Sequence, residues 1–203
     1  MKKLILLFIT TSFVLSQNLI WSVDEKYENG NIKAISYHQK IWQKIELVKK
    51  ETYHENGQIK EEVNFKNGKL YGKGILYYEN GQINWEGNFK DGKKDGKWSQ
   101  YYKNRQIKEE ENWKDGKLDG KYTWYYENGQ INEEGNGKDG KKDGKWTYYN
   151  EDGSVDYVEE WKDGKSEGKT VNDLEDGRLL EMETYKCDNP NCGKIHYRQK
   201  NTN

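Results

Sequence analysis

One feature constrains this chain more than any other: a 24-residue period that runs without a gap for more than a hundred residues. The turn-like strings HENGQI, YENGQI, YKNRQI, YENGQI, NEDGSV and LEDGRL place Gly57, Gly81, Arg105, Gly129, Gly153 and Gly177 at equal steps. Two further series keep phase with them, Gly68, Gly92, Gly116, Gly140 and Gly164, then Gly72, Gly96, Gly120, Gly144 and Gly168. An earlier copy, YENGNI at 27–32, stands 27 residues before the next. Self-similarity at such a period marks an array of small units, each of which buries its apolar side only against its neighbours.

Each unit reads as two short strands and two turns. The Asn-Gly pairs at 56–57, 80–81 and 128–129 predict tight type I′ hairpins, and the second turn, Asp91 to Gly96 in one copy, predicts a wider loop with two glycines. Between turns, Ile83, Trp85, Gly87 and Phe89 alternate with Asn84, Glu86 and Asn88, the period of a strand. In the strand that follows, Trp98 and Tyr102 are expected on one side and Tyr101 on the other. Gly87 and Gly135 fall mid-strand, where a missing side chain admits a neighbour's ring. The expected fold is all-β, an elongated single-layer antiparallel β-hairpin meander.

Composition supports stacking in place of a central core. Leu, Ile, Val and Phe number only 36 of 203 residues, against 28 aromatics, and 34% of the chain is charged. Low aliphatic content accompanies disorder when net charge is high, but here it is −1. Basic and acidic residues alternate, so no stripe exists to displace counterions from nucleic acid.

Met1–Lys3 followed by an apolar run from Leu4 to Leu15 reads as a secretory signal (residues 1–16) cut near Ser16. The run is short for a bilayer span, so no transmembrane segment is expected in the mature chain, which is placed in the periplasm, at the cell surface or outside the cell. Residues 17–52 are a divergent N-terminal repeat or cap, 53–172 the array, and 173–203 a C-terminal cap.

No catalytic residue, cofactor site or metal site emerges. Asp91–Lys97 superficially resembles a phosphate-binding or calcium loop but lacks the required ligands and helix. His38, His54 and His196 are scattered, and Glu61-Glu62 and Glu133-Glu134 read as carboxylates on opposite strand faces paired with lysines. Cys187 and Cys192, with four turn-forming residues between them, form a disulfide candidate that would staple the cap; free thiols or metal binding with His196 are the alternatives. Two aromatic ladders recur: Trp98, Tyr122 and Trp146 on one face, and Tyr77, Tyr101, Tyr125 and Tyr149 on the other. Whichever is exposed is the binding candidate.

The spacing Gly87-Asn-Phe-Lys-Asp-Gly92 followed by Lys-Lys-Asp-Gly96-Lys-Trp98, repeated at Gly135 to Trp146, resembles the bacterial variant of the MORN repeat and is similar to the YwqK antitoxin family. Arg105, Gly137 (where Phe65, Phe89, Trp113 and Trp161 stand elsewhere) and Lys-Thr-Val at 169–171 depart from it. Asp143 to Tyr149 also resembles aromatic cell-wall-binding repeats. The resemblance implies a non-enzymatic array for protein or membrane contacts. The reading is an exported protein-interaction scaffold, antitoxin- or immunity-like, with envelope glycan or lipid binding through the exposed aromatics as the alternative.

Overall fold

A computed structural model describes residues 19–171 of the protein. Thirteen strands follow one another with no helix among the described residues: β1 (Leu19–Lys26), β2 (Ile32–Ile41), β3 (Lys44–Tyr53), β4 (Ile59–Lys66), β5 (Lys69–Tyr77), β6 (Ile83–Lys90), β7 (Lys93–Tyr101), β8 (Ile107–Lys114), β9 (Lys117–Tyr125), β10 (Ile131–Lys138), β11 (Lys141–Tyr149), β12 (Val155–Lys162) and β13 (Lys165–Val171). They fall into two compact units that divide between Lys93 and Lys94. Within each unit every strand pairs antiparallel with the next, so spatial order repeats chain order. The all-β meander that the 24-residue period predicts is the fold observed.

The two turns, however, exchange their expected chemistries. At Asn56-Gly57 the Gly57 amide donates to the His54 carbonyl (2.9 Å) and the His54 amide to the Gln58 carbonyl (2.8 Å); Gly129 with Tyr126 and Gln130 repeats the pattern. Only the glycine has positive φ, 84° at Gly57 and 86° at Gly129. This is a three-residue loop closed by a left-handed residue, not the type I′ turn that Asn-Gly predicts. Type I′ geometry sits in the second turn, where both residues are left-handed: φ is 51° and 81° at Asp115-Gly116, bracketed by the Lys114–Lys117 pair.

The asparagine side chain explains the exchange. Asn56 Oδ1 accepts the Gln58 amide at 2.9 Å, an Asx turn that needs no positive φ at the asparagine. Its Nδ2 donates to the Glu79 carbonyl of the next copy at 2.8 Å, and Asn128 reaches the Glu151 carbonyl in the same way at 2.9 Å. A parallel series runs through the residue that opens each turn: Tyr102 Oη donates to the Tyr125 carbonyl (2.6 Å) and Tyr126 Oη to the Tyr149 carbonyl (2.7 Å). Tyr102 therefore staples turn to turn and does not extend the Trp98 face of the strand, as alternation had suggested.

Arg105 occupies the left-handed turn position with φ 73° and keeps the bond from its amide to the Tyr102 carbonyl at 3.0 Å. A side chain there costs roughly 1–2 kcal/mol relative to glycine. Arg105→Gly is expected to raise the melting temperature by about 2–8 °C, read by thermal denaturation; an unchanged or lower value would contradict the turn geometry.

In the segment expected to be a divergent repeat or cap (17–52), the described residues keep the first of the two turns, but in the second only Trp42 has positive φ, not both turn residues as in the later copies. Gly30 (φ 87°) donates to the Tyr27 carbonyl at 2.9 Å, and β2 and β3 close over a short turn at Trp42. The signal segment 1–16, the cap 173–203, Cys187, Cys192 and His196 lie outside the described residues.

Candidate functional site: two ladders on opposite faces

The rings of one ladder form the interior. Trp146 is 1% exposed and Trp98 3%, and the Tyr122 and Trp146 ring centroids lie 5.2 Å apart. Room for Trp146 comes from Gly135, whose missing Cβ would lie inside the van der Waals distance of the indole carbons. The indole N–H donates to the Asn136 carbonyl at 3.1 Å. Burial raises the Tyr122 hydroxyl well above its ordinary range, reinforced by a hydrogen bond to Glu109, whose own carboxyl burial pushes up. These three residues, offered by sequence as one of two binding ladders, are packed against their neighbours.

Sequence reasoning missed how lysines complete this face. Lys94 Nζ sits 4.6 Å from the Trp98 ring centroid and 4.4 Å from that of Trp113, with Glu111 at 3.4 Å. Lys142 lies 3.9 Å from the Trp146 centroid and pairs with Glu133 at 3.5 Å. Such cation–π contacts let a charged residue cover an aromatic row. The same position holds Leu118 in the unit between, and Leu118 fills the space over Gly137: a Cβ there would meet Leu118 Cγ at 2.5 Å. The departure at Gly137 is thus matched by Leu118. The signal was present in the sequence as the alternation Lys94, Leu118, Lys142.

The tyrosines close one face of each unit, in the second unit the face opposite Trp98 and Trp146. Tyr77 Oη donates to Glu62 Oε1 at 2.7 Å and Tyr149 Oη to Glu134 Oε1 at 2.9 Å. Burial, then the bond to Glu62, raises the Tyr77 hydroxyl to about 12, so it remains a donor at neutral pH. Tyr101 and Tyr125 end β7 and β9 at the corresponding places. Outside the tyrosines stand lysine–glutamate pairs across adjacent strands: Lys73–Glu86 (2.7 Å), Lys97–Glu110 (2.6 Å) and Lys121–Glu134 (3.1 Å), each lysine more than half exposed. Glu133 and Glu134 point to opposite faces, one to Lys142 and one to Lys121, as the adjacent-carboxylate pattern predicts.

In the first unit this face condenses around Glu51, 8% exposed, which accepts Tyr37 Oη and Tyr53 Oη at 2.6 Å each and Lys49 Nζ at 2.7 Å. Burial opposes its ionisation, but the bonds from Lys49, Tyr37 and Tyr53 outweigh it and hold the carboxyl below its ordinary value. His54 is a turn residue bonded to the Tyr77 carbonyl at 3.0 Å, and His38 lies in β2. Asp91 and Gly92 form a hairpin turn (φ 51° and 83°), with Asp95 inside β7.

A β-hairpin of fixed length, bonded turn to turn and ring to ring with its copies, defines a repeat protein built as a scaffold. Residues 48–67, 70–91, 94–115, 118–139 and 142–163 match the MORN repeat variant, and the chain belongs to that family. No curated protein matches the chain. Among the described residues no helix is long and apolar enough to cross a membrane.

Proposed function

We propose that the chain is a non-enzymatic, exported scaffold that holds a protein partner on the tyrosine–lysine–glutamate face, in an antitoxin- or immunity-like role outside the cytoplasm. The observation that carries this reading is the division of labour between the ladders. Trp98 and Trp146 are spent on the interior, whereas the tyrosine face ends in exposed, alternating charges. Amphipathic tyrosines with fixed hydroxyls beside ordered ion pairs offer area and orientation at low entropic cost, the character of protein-recognition surfaces.

Export rests on the order of charged, apolar and small residues from Met1 to Ser16. The N-terminal sequence of protein recovered outside the cytoplasm should begin near Gln17, and a retained Met1 would remove that part.

The binding claim is tested by capture with the full chain followed by mass spectrometry, comparing wild type with Tyr125→Ser/Tyr149→Ser. A protein held by wild type and lost by the variant is expected. Sedimentation with purified cell wall but no captured protein would instead favour the second reading, glycan binding through the same tyrosines, which their resemblance to wall-binding repeats supports.

A further inference from the structure

The first hairpin breaks a rule that the later ones keep. Where later copies place Asn67, Asp91, Asp115, Asp139 and Asp163 at the left-handed turn position, it places Trp42, with φ 57°. Asn and Asp tolerate that conformation, whereas a bulky aromatic is an outlier there. Nothing in the fold repays it, because Trp42 is 93% exposed.

Around it lies an apolar end of the sheet. Leu19, Ile20, Trp21, Ile41 and Ile45 are all exposed. The register brings them together: Leu19 pairs with Gln39 and Trp21 with Tyr37, while Lys40 pairs with Ile45 and Ile41 with Lys44. Strand alternation then puts Leu19, Trp21 and Ile41 on one face and Ile20 and Ile45 on the other. A flat partner would cover one face only; apolar groups on both faces and at the tip suit a medium that surrounds the hairpin. Lys40 and Lys44 bracket the tip, with Glu46 the one acidic residue between His38 and Leu47.

We propose that this hairpin is a membrane-docking tip, with Trp42, Ile41, Ile45 and the Leu19–Trp21 segment entering the interfacial layer of an anionic lipid bilayer while Lys40 and Lys44 meet its headgroups. Tryptophan suits that layer, being apolar with one polar edge, and flanking lysines add attraction to negative lipid. The tip precedes residue 48, where the matched repeats begin, so it is a property of this chain's own divergent unit. It is independent of the tyrosine face.

The test is flotation of the full chain with vesicles of phosphatidylglycerol and, separately, of phosphatidylcholine. Wild type should bind phosphatidylglycerol, more weakly as salt rises. Trp42→Asn/Ile45→Thr should bind about tenfold more weakly or less, with a melting temperature unchanged or raised because asparagine accepts the turn. Lys40→Gln and Lys44→Gln should each cost about fivefold, and Ile107→Thr, at a different exposed apolar residue, should cost nothing. Binding by Trp42→Asn/Ile45→Thr equal to wild type, equal binding to both lipids, or no vesicle binding, as when a protein or the chain's own residues 1–18 cover the tip, would overturn the proposal.

Discussion

Gly135→Ala is expected to destabilise the protein by about 3 kcal/mol, the upper part of the usual range for forcing an atom into a filled interior. In a chain of this length that lowers the melting temperature by roughly 6–12 °C. The added Cβ would fall on the bridging carbons of the Trp146 indole, a rigid ring system that cannot fold away as a flexible chain end can. Trp146 is also fixed by its bond to the Asn136 carbonyl and by Lys142 over its face. Trp146→Ala alone should cost about 3–5 kcal/mol through the cavity it leaves. Because the two positions share one space, Gly135→Ala/Trp146→Leu should lose clearly less than the sum of its single changes. Additive losses would mean that the ring does not lie on Gly135.

The second large effect is centred on Glu51. Glu51→Gln should cost about 2 kcal/mol at neutral pH, because two tyrosine hydroxyls and Lys49 lose a charged acceptor in a nearly buried place. The acid side of the stability curve should change with it. Glu51, Glu62 and Glu134 all have folded-state carboxyls held below the ordinary 4.5: bonds from Lys49 and Tyr77 lower Glu62, while at Glu134 burial is outweighed by bonds from Tyr149 and Lys121. A lowered carboxyl contributes stability that is fully present above the unfolded value and is lost as pH falls through the folded one. Glu109 runs the other way, since burial raises it, so its cost to folding shrinks on acidification. Asp152 is lowered as well, by hydrogen bonds from Ser154, so with four lowered carboxyls against one raised, melting temperature should fall below about pH 4.5. The gap between wild type and Glu51→Gln should narrow over the same range, and a gap independent of pH would contradict the role given to the Glu51 charge.

Much of this was legible in the sequence because the period fixes where turns must fall and strand alternation fixes which residues share a face. The phase of Gly57, Gly81 and Gly129 located one set of turns, and Gly135 announced the approach of a ring. What alternation could not convey was which residue of Asn-Gly would be left-handed. That depends on an asparagine side chain that bonds both its own turn and a carbonyl one copy away, a partner visible only after the copies are stacked. Tyr102 escapes alternation for a different reason: a register shift between Gln100 and Tyr101 ends the strand before it. The choice between the two aromatic ladders needed the lysines. Lys94 and Lys142 read as solvated charges until their rings are seen beneath them, and they turn a candidate binding row into a closed one.

The central claim is that one ladder holds the fold together while the other meets the partner. The most direct test is the affinity of the captured protein for full-length wild type, Tyr125→Ser/Tyr149→Ser and Lys142→Met, each measured beside its melting temperature. Tyr125→Ser/Tyr149→Ser should lose at least about tenfold in affinity, as expected when central aromatic contacts are removed, while staying folded at the temperature of the measurement. Lys142→Met should keep the affinity. Full affinity in the tyrosine variant, or its loss in folded Lys142→Met, would contradict the account.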